Sequence, residues 1–67
     1  MDAVKKGERY ARIFRKAGIL LGKGKIERAI AVLEQGHQLA ENQGDNGMAR
    51  RFATEIDRAS SSSQSAE

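Results

Sequence analysis

Apolar positions in this chain fall into three runs with a helical period, separated by two glycine-bearing breaks. In the first run Tyr10, Ile13, Phe14, Ala17, Leu20 and Leu21 recur at spacings of three and four. That spacing lines them along one face of a helix and predicts a helix over residues 3–21. Gly7 and Gly18 lie inside it, each weakening a helix by about 1 kcal/mol relative to alanine. Gly7 is expected to fray the start, and Gly18 to let a second helix approach closely. The second run, Ile26, Ala29, Ile30, Leu33, Leu39 and Ala40 with Val32 beside them, predicts a helix over residues 26–42. Gly36 falls inside this stripe, where a close helix contact favours a missing side chain. The third run, Met48, Phe52 and Ile56 flanked by Ala49, Ala53 and Ala59, predicts a helix over residues 47–59. Arg51 and Glu55, four apart on its outer side, are placed to pair.

The breaks themselves are Gly22-Lys23-Gly24-Lys25 and Gly44-Asp45-Asn46-Gly47. Both carry the residues that end one helix and begin the next. Asp45 or Asn46 suits the N-cap of the third helix, because either side chain can accept from free amides of the first turn. After Ala59 the chain reads SSSSQSAE, with no residue able to build a core, and residues 60–67 are expected to form a disordered tail. The expected architecture is all-α: an antiparallel helical hairpin plus a third helix in one domain, residues 1–59.

Size and composition narrow the function. A chain of 67 residues buries only about 60% of the surface its unfolded form exposes, so its stability is marginal. Cysteine is absent and His37 is the single histidine, which removes disulfides and the thiolate and His-rich metal sites. No 18-residue apolar stretch occurs, and the patch from Ala17 to Leu21 is interrupted by Gly18, so neither a transmembrane helix nor a secretory signal is expected. The chain reads as a soluble, cytoplasmic module too short to build a deep catalytic pocket.

The charge pattern says more than the net +3. Residues 1–28 carry nine of the twelve Lys/Arg against Asp2, Glu8 and Glu27, a balance of +6, and the remainder of the chain carries −3. Lys5, Arg9, Arg12 and Lys16 repeat at helical spacing on a face of the first helix away from its apolar stripe, extended by Arg15 and Lys23. Such a row suits a partner protein with an acidic segment. It also suits phosphate-backbone contact, which would be strongly salt-sensitive. The acidic second half disfavours the nucleic-acid alternative, and Tyr10 and Phe14 belong to the apolar seam rather than to a base-stacking platform.

A catalytic search finds nothing to set against this. The Gly22–Lys25 segment lacks the spacing and the following Ser/Thr of a phosphate-binding loop and reads as an inter-helix turn. His37, flanked by Glu34 and Glu41, has no nucleophile or second ligand at helical spacing. No catalytic residue, metal ligand or cofactor site is expected.

The segment from Gly24 to Ala40, GKIERAIAVLEQGHQLA, resembles the second half of a tetratricopeptide repeat (TPR). Gly24 stands at the inter-helix turn, Ala29 with Ile30 follows five residues later, and Gly36 takes the small position seven after the alanine. Counting back, Ala17 and Leu20 fall on the small and large packing positions of the preceding helix. The continuation LAENQGDNGMARRFATEID is similar to long-loop variants of the repeat. Ile13 stands where an aromatic is common, and no proline closes the repeat. The resemblance implies a protein-binding adaptor with TPR-like packing, and it covers one repeat and one further helix. Because such arrays normally need about three repeats, it also implies self-association. The stripe Met48, Phe52 and Ile56 is the surface expected to be covered by another chain, first a second copy, giving a homo-oligomer, and second a protein partner.

Overall fold

Two turns of one geometry set the path of the chain. The computed structural model describes residues 2–65, with side chains described for residues 7–61. It consists of α1 (Asp2–Gly22), α2 (Ile26–Asn42) and α3 (Asn46–Ser65), with no strand among the described residues. At the first turn Gly24 N–H donates to Leu21 O at 3.0 Å and Lys25 N–H to Leu20 O at 2.8 Å. Twenty residues on, Gly44 N–H donates to Glu41 O at 3.0 Å and Asp45 N–H to Ala40 O at 2.8 Å. These paired bonds are the Schellman closure, which requires a left-handed residue at its centre. Gly24 (φ 78°) and Gly44 (φ 71°) supply it, a conformation open to glycine at little cost.

The turns differ in what they offer the next helix. Asp45 caps α3, its Oδ1 accepting from Met48 N–H at 3.2 Å. Its counterpart Lys25 makes no side-chain cap to α2, and a lysine there places a cation at the positive end of the helix dipole.

Both α1 and α3 pack against α2. The buried core is Tyr10, Ala17, Ala29, Leu33, Ala40, Ala49, Phe52 and Ala59. Five of these are alanines in the seams between α2 and its neighbours, so the helices approach closely and the large side chains are few. Phe52 of α3 dominates. Its ring stacks on Phe14 of α1 at 4.4 Å between centroids and 5° between planes, and it meets Tyr10 edge-on at 5.8 Å. On its other side the ring lies against Gly36 of α2, where an added Cβ would overlap its edge carbons.

The expected disposition of several residues changes accordingly. Phe52 is fully buried within its own chain, and Met48 and Ile56 are half-buried against the same core. The stripe assigned to a second copy is thus covered by α1 and α2, because Phe14 reaches across to close the outer face of the ring. Gly18 faces open space rather than a close helix, since nothing approaches within 4 Å of where its Cβ would stand. Gly7 leaves α1 uninterrupted. The helix α3 continues to Ser65 through the segment expected to be a disordered tail. No glycine or proline stops it, and extending an existing helix by one serine costs only a few tenths of a kcal/mol relative to alanine. Residues 66 and 67 lie outside the described residues.

With α1 and α3 both antiparallel to α2, the molecule is elongated, with principal extents of 44 × 19 × 13 Å. Tyr10 bonds to Gln43 at the C-terminal end of α2, so residues 2–9 run on past it. Ala59 shares a hollow with Ile26 at the opposite end, and α3 runs on past that point. No helix among the described residues is long and apolar enough to cross a membrane.

Two outcomes follow from this packing. Gly36→Ala should lower stability by about 1–3 kcal/mol through overpacking against Phe52. Phe52→Leu in the same background should return part of that loss, so a double-mutant cycle by thermal denaturation should show coupling; additive losses would place the ring elsewhere. Lys25→Asp should raise stability by about 1 kcal/mol by supplying the missing cap, visible as a higher melting temperature. An unchanged or lower value would show that the cap is not limiting.

Candidate interaction surface

The inward turn of Tyr10, Ile13, Ala17, Leu20 and Leu21 leaves the other side of α1 to solvent. Arg9, Arg12 and Lys16 are exposed, as are Arg15 and Lys23. The side chain of Lys5, placed in the same row by the sequence, lies outside the described residues. Between Lys16 and Lys23, on the same line, stands Ile19, the one large hydrophobic side chain that is substantially exposed (54%) among the described residues. The surface is therefore a row of cations with one apolar residue set into it.

Among the described residues no cation of that row enters an ion pair, and Glu8 is the one acid that stands beside it. The ion pairs among the described residues are His37 Nδ1 with Glu41 Oε1 at 3.7 Å and Arg58 Nη1 with Glu55 Oε2 at 3.5 Å. Glu55 thus pairs with Arg58, not with Arg51 as the spacing suggests. Arg51 instead lies over the Phe14 ring, its guanidinium carbon 5.2 Å from the centroid. There it covers the half-buried aromatic face and keeps its charge beside α1. This cation–π contact joins residues 37 positions apart and leaves no signature in either helix's periodicity.

A small hollow of about 220 Å³ lies where Leu21, Ile26, Glu55, Arg58 and Ala59 meet. Its polar lining is the Glu55–Arg58 pair, and these groups already satisfy each other. No group of three or more metal-binding side chains occurs among the described residues. His37 is half-buried beside Glu41, while Glu34 and Glu27 are exposed along the same helix.

Tyr10 marks the end of the seam rather than a binding platform. It is 5% exposed, and its hydroxyl donates to Gln43 Oε1 at 3.1 Å. Burial raises its pKa above the ordinary value, and the negative charge of the nearby Asp45 carboxylate adds to the rise. The described core leaves no buried side-chain polar group unsatisfied.

No protein-family model matches this chain, nor does any curated protein or solved structure.

The raised phenol gives a pH signature. In the unfolded chain Tyr10 loses its proton near pH 10; in the folded chain it keeps it to higher pH. Folded protein therefore holds more protons above that point, and the contribution of Tyr10 to stability is present below about pH 10 and falls as pH rises through its folded pKa. The stability difference between wild type and Tyr10→Phe, from urea midpoints at pH 8 and pH 11, should shrink at the higher pH. A difference independent of pH would show that the phenol is not perturbed.

Proposed function

We propose that this chain is a non-enzymatic protein-interaction module, a small adaptor that engages a protein partner through the exposed face of α1. The observation carrying this reading is the row Arg9, Arg12 and Lys16, exposed and in no ion pair among the described residues. Leaving cations unpaired beside an exposed Ile19 leaves the face suited to an acidic, partly apolar segment of another protein. The small-residue seam at Ala17, Ala29 and Gly36, and the glycine turn at Gly24, support a TPR-like reading of the scaffold that presents this face. On this reading the module needs no cofactor and acts in the cytoplasm.

Binding of a polyglutamate peptide and of duplex DNA, measured side by side across a salt series, tests the proposal. The wild-type chain should bind polyglutamate. The combined change Arg9→Glu, Arg12→Glu and Lys16→Glu should weaken that binding by about tenfold or more, the equivalent of 1.4 kcal/mol. Exposed substitutions of this kind each alter stability by only about 0.5 kcal/mol or less, so the helical circular dichroism should persist. Retention of DNA with no binding of polyglutamate would replace the protein partner with nucleic acid.

A further inference from the structure

The row on α1 has a counterpart of opposite sign on α2. Arg9, Lys16 and Lys23 are exposed and stand seven residues apart. Glu27, Glu34 and Glu41 are also exposed and also stand seven residues apart. Seven residues are nearly two full turns, so each set forms a line with charges about 10 Å apart; Lys23 stands just past the end of α1, its N–H still bonded to Ile19 O at 3.1 Å. Ala31 and Gln38, the residues between the members of the acidic line on that face, are uncharged, and Glu41 has His37 Nδ1 beside it at 3.7 Å. The basic line holds no acid, with Arg12 and Ile19 between its members. The two lines therefore match in length and spacing, with four cations along one and three carboxylates along the other.

They do not meet within one chain. Gln43 faces α1 through its bond to Tyr10. Glu34 lies nine residues before it, two and a half turns away, and so on the side of α2 opposite α1. Phe14 faces α3 through Phe52, and Lys23 lies nine residues beyond it, on the side of α1 opposite α3. One line thus points away from α1 and the other away from α3, and no ion pair joins them among the described residues.

We infer that the partner of the basic line is the acidic line of a second copy of this chain, so that copies associate head to tail. This rests on the reading of α1 as an interaction face and names its occupant. Two unlike patches on one surface make a heterologous contact, which leaves a free basic line at one end and a free acidic line at the other. Association therefore extends beyond a dimer unless the ends meet. Ile19, exposed in the basic line, supplies apolar area that the contact covers. This assignment takes the place of Met48, Phe52 and Ile56 as the self-association surface.

Sedimentation of the full chain at rising concentration in low salt tests this. The average mass should climb above the 7.3 kDa of one chain and return to it in roughly 0.5 M salt, where the screening length is only about 4 Å. A basic-line reversal (R9E, K16E, K23E) and an acidic-line reversal (E27K, E34K, E41K) should each remain monomeric alone. Mixing the two should restore assembly, because each then carries what the other lacks. A wild-type chain that is monomeric at every concentration in low salt overturns the inference, as does assembly that survives either reversal. The wild-type salt dependence decides the matter even where a reversed chain fails to fold. Polyglutamate binding separates the two proposals: a monomer that still binds the peptide refutes self-association alone, while a monomer that does not bind it refutes both.

Discussion

The contact on which the packing turns is between a ring and an absent side chain. Phe52 can be fully buried because Gly36 presents bare backbone to it. With the ring seated there, Phe14 can stack flat on its far side and Tyr10 can meet its edge. All three aromatic residues of the chain converge on this one place. A small protein has few large side chains with which to offset the entropy of folding. Concentrating them where three helices meet lets one ring tie α3 to both others, although α1 and α3 touch little through their backbones.

Much of this order can be read along the chain. The bounds of α2, Ile26–Asn42, coincide with the run of its apolar stripe, because a glycine turn stands at each end. Asp45 is the cap its position suggests. The hairpin with a third helix is the architecture that two short breaks impose. What escapes a linear reading depends on partners. Gly18 and Gly36 are alike in sequence, each inside an apolar face; only the position of Phe52 makes one a contact and leaves the other open. The stripe at Met48, Phe52 and Ile56 shows that a face needs cover without showing that its own chain can provide it. The end of α3 was hidden for a different reason. Serines are indifferent helix formers, and their order there depends on the helix already formed before them.

Charge follows a separate logic from packing. Among the described residues the core takes no ionised group, and the ion pairs are short-range ones along α2 and α3. Arg51 spends its contact on a ring rather than a carboxylate. Arg9, Arg12 and Lys16 of α1 and Glu27 and Glu34 of α2 enter no ion pair among the described residues and face outward. Since exposed pairs add little to stability, their arrangement in lines is better suited to orienting an encounter than to holding the fold.

The parity of the helices has a mechanical result. Three antiparallel segments place the start of α1 and the end of α3 at opposite ends of a body 44 Å long. Tension applied through those ends would slide α1 and α3 along α2 in opposite directions, loading both seams in shear along their whole length. A two-helix hairpin pulled at its adjacent ends would instead unzip one turn at a time. Here the aromatic cluster, the alanine seam and the two glycine turns would have to yield together, so the resistance to force is governed by the rate of unfolding of the entire bundle. An odd number of short helices makes this chain a strut.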